Sequence, residues 1–242
     1  EKAFIVSKAP GVIAGLEIVK EVFLTVDKNL KITMYKRDGD TVKRGDEILR
    51  LEGNPASILK GERTALNFLQ RLSGIATTTR AMVNKLEGTS AKVLDTRKTT
   101  PLLRSMEKYA VRIGGGYNHR FGLYDMILIK DNHIKACGSI TEAVNRVKER
   151  NIAYKIEVEV SNIKELEEAV RAGVDRILLD NMSIPKIKNC VKRFGSKIEL
   201  EVSGGVTLDN IKEIAQTGVP YISSGALTHS FQSLDISLQF KE

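Results

Sequence analysis

Four cations lie at the ends of short apolar runs or in the connections that follow them: Arg97, Lys98, Arg120 and Lys130, with His119 beside Arg120. Arg offers a planar fork matched to carboxylate or phosphate, and Lys a point charge. Brought together they repel one another unless a polyanionic ligand compensates them. Solvated surface is the usual fate of such residues, but it fits poorly for side chains placed at the ends of buried strands. Two carboxylates, Glu159 and Asp180, end successive runs, with Asp131, Glu157 and Glu201 nearby. Facing a phosphate-rich ligand, they suggest Mg²⁺, which is usually held by one or two carboxylates together with substrate phosphates and water. Glu157 and Glu201 suit ion pairing with the cations equally well. Ser203-Gly204-Gly205 and Ser223-Ser224-Gly225 complete the set as backbone cradles for phosphate, with Ser203, Gly204, Gly205, Ser224 and Gly225 as the contacting residues and Thr207 as cap of the following helix.

The elements that must position these groups are legible in the pattern. Strand-type runs at Lys92–Leu94, Met126–Ile129, Lys155–Val158, Arg176–Leu179, Ile198–Val202 and Tyr221–Ser223 alternate with helical segments. Ser139 with Glu142, and Asn162 with Glu165, read as capping boxes, and Gly173 and Gly218 as helix stops. Cys190 falls on an apolar helical stripe with Ile184, Ile187 and Val191, and the last helix carries Leu208, Ile211, Ile214 and Ala215. Ala172–Leu179 and Thr217–Ser224 form a weak internal repeat. Strand–helix alternation means a parallel sheet, doubly wound or closed as a barrel. No G-x-G-x-x-G follows a strand, so the barrel is favoured, with six strands rather than eight. In a parallel barrel the chemistry lies at the C-terminal strand ends, where the cations, carboxylates and glycines fall.

Residues 1–60 have another rhythm. Ala3–Val6, Val22–Val26 and Lys31–Tyr35 read as short strands separated by turns, and Asp38–Leu49 resembles the turn–strand segment of lipoyl carrier domains without their modifiable Lys. From Lys60 to Leu86 the pattern is helical, with Ala65, Leu66, Leu69, Leu72 and Ala76 on one face.

Composition bounds the rest. Of the 242 residues 42% are hydrophobic, 28% charged and 5% aromatic, which excludes disorder, collagen and coiled coil. No apolar run is long enough to span a membrane. Lys+Arg 38 against Asp+Glu 30 gives +8, but without basic–aromatic clusters nucleic acid is a remote partner. Cys137 and Cys190, far apart and without metal spacing, point to the cytoplasm.

Glu62–Asn67, Leu72–Thr77, Asp95–Pro101, Gly114–Arg120, Ile129–His133 and Glu201–Gly205 together resemble quinolinate phosphoribosyltransferase, from one end of the chain to the other. The resemblance implies a β-rich sandwich-like domain over 1–73 joined to an incomplete α/β barrel over 74–227, with the tail, 228–242, packing back on the first domain. It implies phosphoribosyl transfer from phosphoribosyl pyrophosphate to quinolinate with decarboxylation, Mg²⁺ as cofactor, and nicotinate mononucleotide, pyrophosphate and CO₂ as products. By the same resemblance Arg97, His119, Arg120 and Lys130 hold the quinolinate carboxylates, and Lys98 lies between the substrates. Glu159 and Asp180 face ribose and metal, and Arg63 enters from the neighbouring subunit of a homodimer. Family members usually carry a further helical segment before the region where this chain begins, at Glu1 rather than Met. A related transferase acting on nicotinate without decarboxylation, and a non-catalytic sensor of anionic metabolites, are the competing readings.

Overall fold

The computed structural model describes residues 1–150 and 153–241. The chain begins with β1 (Lys2–Ser7), β2 (Gly11–Val12), α1 (Leu16–Val26), β3 (Lys31–Met34), β4 (Thr41–Val42), β5 (Glu47–Glu52) and α2 (Pro55–Lys85). Then come β6 (Lys92–Leu94), α3 (Arg104–Ile113), β7 (Ile127–Ile129), α4 (Asp131–Cys137), α5 (Ile140–Lys148), β8 (Ile156–Val160) and α6 (Ile163–Ala172). It ends with β9 (Arg176–Asp180), α7 (Ile184–Phe194), β10 (Glu199–Ser203), α8 (Ile211–Ala215), β11 (Tyr221–Ser223), α9 (Ala226–His229) and β12 (Ile236–Phe240).

Two compact units emerge. The first comprises residues 1–81, 98–116 and 227–242; the second, 82–97 and 117–226. The boundary expected between residues 73 and 74 falls inside α2, which runs unbroken from Pro55 to Lys85.

In the first unit an antiparallel sheet runs β12-β1-β5-β3, so the C-terminal tail returns as the strand beside β1. Phe23, Ile48, Leu49, Leu51, Ile58 and Leu69 close its core with no exposure. The strand expected at Val22–Val26 is instead the end of α1. Leu16, Val19 and Phe23 recur at helical spacing and bury one face against this core, and that packing overrides the β-type composition. The Asp38 carboxylate starts the helix from a distance, accepting the N–H groups of Gly15 and Leu16 at 2.8 and 3.1 Å.

In the second unit all six expected strands form one parallel sheet in the order β6-β11-β10-β9-β8-β7. The sheet is an incomplete barrel: β6 and β7 are its two edges. Residue Tyr117 lies alongside β6, taking an N–H bond from Asp95 and giving one to Val93, and so lines that edge. The register aligns Glu157 with Arg176 and Arg176 with Glu199, Leu178 with Glu159 and Glu201, and Asp180 with Ser203. Aligned residues share a face. One face therefore carries Glu157, Glu159, Arg176, Asp180, Glu199 and Glu201, while Val158, Ile177, Leu179, Leu200, Val202 and Ile222 on the other are buried. Ser139 and Asn162 start their helices as the sequence implies, accepting the N–H groups of Glu142 and Glu165, and Gly173 ends α6 at a left-handed φ of 67°. The helix α8 ends earlier than expected, at Ala215 with Gln216 as its cap, and Gly218 at φ of 88° lies in the turn beyond. Cys190 is core, and burial pushes its thiol up. Leu208 is exposed rather than part of the last stripe. Thr207 does not cap α8, which starts at Ile211; Asn210 closes that loop, accepting from Thr207 N–H and donating to the Gly205 carbonyl, both at 2.8 Å.

Candidate active site

The second unit carries Arg97, His119, Arg120, Lys130, Glu159 and Asp180, positioned by a series of local devices. Asp95, just past β6 and fully buried, accepts the Asn118 side-chain amide at 2.5 Å and the His119 N–H at 2.9 Å. It thus fixes the segment that carries His119 and Arg120. The three glycines ahead of that segment have separate reasons. A Cβ on Gly114 or Gly116 would meet the Thr79 side chain at 2.5 or 2.8 Å, and Gly115 holds φ of 93°.

His119 is the electrostatic centre. Its Nε2 lies 3.0 Å from Glu157 Oε2 and 3.4 Å from Glu201 Oε1, and both glutamates are fully buried. Burial alone would lower the imidazole, but the two carboxylates override it and raise His119 to about 9. The Arg120 N–H, 2.7 Å from Nδ1, works the other way, because only a neutral ring can accept it. Two carboxylates outweigh one neutral dipole, so the charged ring prevails. The carboxylates divide unequally. Glu201, with Arg176 also against it at 3.2 Å, stays low despite burial, whereas burial pushes Glu157 up.

Arg176 was not read as functional from the sequence. It forks onto Glu199 through Nε and Nη2 at 3.2 and 3.0 Å and stacks 4.2 Å from the Tyr221 ring centroid. Glu157, Glu199 and Glu201 thus meet His119 and Arg176 on the polar face of the sheet. Alternation in Ile156–Val160 and Glu199–Ser203 is the signal that marks that face; Arg176–Asp180 is polar only at its two ends.

The ligand-binding candidates have partners of their own. Arg120, held by Nη1 on the Met126 carbonyl at 2.9 Å, has its guanidinium lowered first by burial and then by the charge of Arg97. Arg97 and Arg120 are therefore close enough to repel. Lys130 Nζ pairs with Glu159 Oε2 at 3.3 Å. Asp180 accepts from Asn181 Nδ2 at 2.8 Å, and Asn181 itself packs where a Cβ on Gly204 would lie, 2.2 Å from its Oδ1. Only glycine fits there; Gly204 and Gly205 hold φ of 92° and 60°. Ser203 lies level with Asp180. Ser224, expected at phosphate, turns inward instead: its N–H goes to Leu94 and its hydroxyl to Val206. Gly225 follows it, partly exposed. Lys98 is exposed and Arg63 lies on an exposed position of α2, both in the first unit.

Two groups could hold a metal. Among the described residues, His119, Glu157 and Glu201 offer ligand atoms within 4.8 Å of one another. That cluster already contains its cation, the protonated ring, and suits a metal poorly. Glu159 and Asp180, partly exposed on adjacent strands, offer the all-oxygen donors that a hard ion such as Mg²⁺ takes, with Glu159 shared with Lys130 at 3.3 Å.

Comparison with known proteins then decides the lineage. Residues 2–73 match the family described as Quinolinate phosphoribosyl transferase, N-terminal domain, and residues 75–239 match its C-terminal domain. The chain belongs to the quinolinate phosphoribosyltransferase family. It is 50% identical over 238 residues to a probable nicotinate-nucleotide pyrophosphorylase (carboxylating) of Bacillus subtilis, covering 98% of this chain and 82% of that one. A chloroplastic nicotinate-nucleotide pyrophosphorylase (carboxylating) of Arabidopsis thaliana is 42% identical, with coverage of 98% and 73%. Among solved structures, NadC from Streptococcus pyogenes superposes with a TM-score of 0.94 at 44% identity, over 99% of this chain and 85% of that one. The nicotinate-nucleotide pyrophosphorylase of Ehrlichia chaffeensis gives 0.96 at 44%, over 99% and 88%. Quinolinate phosphoribosyltransferases therefore share both units of this chain and the six-stranded open sheet.

Proposed function

We infer that the protein transfers the phosphoribosyl group of phosphoribosyl pyrophosphate to quinolinate with loss of CO₂, forming nicotinate mononucleotide for NAD biosynthesis. Beyond family membership, one observation carries this reading: Arg120, held by the Met126 carbonyl at 2.9 Å, is within reach of the charge of Arg97, and His119 beside it is raised to about 9. A pyridine dicarboxylate offers these cations two carboxylates to bind. A mono-acid such as nicotinate needs fewer cations.

The chemistry asks little covalent work of the chain. The pyridine nitrogen attacks the ribose C1, and the C1–O bond breaks with its electron pair leaving on pyrophosphate. The ribosylated ring is cationic, so the bond to the 2-carboxylate breaks with its pair drawn into the ring, CO₂ departs, and a proton is taken up at that carbon. Arg97, His119, Arg120 and Lys130 orient the two carboxylates; Lys98 lies where both substrates meet and offsets the charge of the leaving group. Gly204, Gly205 and Gly225, with Ser203, present backbone to phosphate. Glu159 and Asp180 would hold Mg²⁺, which supplies charge neutralisation at pyrophosphate when bound.

The working unit in this reading is a homodimer in which Arg63 completes the partner's site, and the reaction belongs in the cytoplasm. Cys137 and Cys190 as free thiols support a reducing compartment. No described helix is long and apolar enough to cross a membrane.

The test is a Mg²⁺-dependent assay following CO₂ from quinolinate, with nicotinate as control. CO₂ matched mole for mole by nicotinate mononucleotide is the expected result. Replacing Arg120 with Met should weaken quinolinate far more than nicotinate; equal losses would overturn the di-acid assignment.

A further inference from the structure

The segment carrying Arg97 and Lys98 has no regular secondary structure between β6 and α3 except a turn at Pro101–Leu103. It is nevertheless tethered at three consecutive residues. The Thr228 hydroxyl donates to the Lys98 carbonyl at 2.8 Å, and Arg104 Nε donates to Thr99 Oγ1 at 3.0 Å. Thr100 is gripped twice. Its N–H donates to Glu107 Oε2 at 3.1 Å, and its hydroxyl oxygen accepts a short bond from Arg71 Nη2. Glu107 is fully buried, and its other oxygen takes Arg71 Nε and Nη2 at 3.0 and 2.5 Å. Arg71 is itself stacked 4.6 Å from the Phe231 ring centroid.

Stability is a weak reason for such a pair. A buried ion pair is often matched or bettered by apolar residues of similar volume. What this pair does that apolar residues cannot is bind a backbone N–H and a hydroxyl of the loop. We propose that Arg71 and Glu107 are positioning residues for the transferase reaction: they hold Thr100 and thereby set where the preceding cations, Arg97 and Lys98, meet substrate. This rests on the function inferred above. Misplacing a charge by about 1 Å costs on the order of a hundredfold in rate. A loop with a non-glycine residue, Leu102, at φ of 66° just beyond Pro101 has reason to be clamped.

Wild-type turnover of quinolinate is measured first, because it tests the function alone. Arg71→Lys keeps a charge for Glu107 but loses the fork that also reaches Thr100, and Thr100→Val removes only the hydroxyl arm. Glu107→Gln removes the charge behind both arms. The expected result is a fall in kcat/KM of about threefold for Thr100→Val and about tenfold or more for the other two. Tm should stay within a few degrees for Thr100→Val and Arg71→Lys, and amide exchange over residues 96–103 should quicken in all three. Lower Tm with unchanged kcat/KM and unchanged exchange in that segment would show a purely structural pair and overturn the proposal. Should Glu107→Gln fail to fold, the other two variants decide it. Should the wild type not turn over quinolinate, the function fails, while unchanged exchange still overturns the clamp and faster exchange upholds it.

Discussion

A charged His119 at neutral pH makes a prediction that separates this site from one with an ordinary histidine. The ring rises from 6.5 to about 9 because Glu157 and Glu201 flank Nε2 at 3.0 and 3.4 Å. At pH 7.5 such a ring is about 97% protonated, against about 9% for an unperturbed one. The difference of roughly 2.5 units corresponds to about 3 kcal/mol at about 1.36 kcal/mol per unit. The side chain is 8% exposed, so solvent screening is small. The sign follows from linkage: a folded value above the unfolded one stabilises fully below pH 6.5, and that contribution is lost as pH rises through about 9. Glu157, pushed up by burial, works against it, so 3 kcal/mol is an upper bound. The assay is kcat/KM for quinolinate from pH 6 to 10, with Tm beside it. A plateau to about pH 8 and a fall centred near 9 are expected, and His119→Asn should abolish that limb. Glu157→Gln removes one of the two carboxylates and should move the limb acidward by about one unit. A limb centred near 6.5 would mean that the Arg120 N–H at Nδ1 keeps the ring neutral, and the charge argument would fall.

Three further outcomes follow from local geometry. Leu102 is 97% exposed at φ of 66°, so Leu102→Gly loses no burial and relieves the left-handed backbone; Tm should rise by about 1–4 °C. Gly204→Ala places a Cβ 2.2 Å from Asn181 Oδ1 at a positive φ, so it should cost about 1–2 kcal/mol or more and raise KM for phosphoribosyl pyrophosphate; unchanged kinetics would remove this loop from the phosphate site. If Arg63 completes the partner's site, mixing inactive Arg63→Ala and Arg97→Ala proteins after subunit exchange should restore about a quarter of wild-type activity, since half of the dimers are mixed and each has one intact site. No recovery would place Arg63 in its own subunit's site or outside both.

The sequence exposes the strand ends because a parallel barrel must put its chemistry there, and the groups read at those ends were cations, carboxylates and glycines. Their pairing was not legible. Lys130 meets Glu159, and His119 meets Glu157 and Glu201, through register between segments far apart in the chain, which no local spacing encodes. Arg176 was passed over for a different reason: it opens β9 rather than ending it, so a rule that inspects C-terminal ends does not reach it. Val22–Val26 misled because β-branched composition is a weaker constraint than the buried face of α1. The overlooked alternation has functional weight. On the polar face, Glu157 and Glu201 balance His119 and Arg176, and Glu159 answers Lys130. Arg120 is lowered first by burial and then by the charge of Arg97, against which Glu157 and Asp125 act. A substrate with two carboxylates offsets the repulsion between Arg97 and Arg120 more fully than one with a single carboxylate. In the function inferred above, selectivity for a di-acid depends on how this sheet face is charged, and neutralising Glu201, which touches no substrate in that reading, should weaken quinolinate binding through His119.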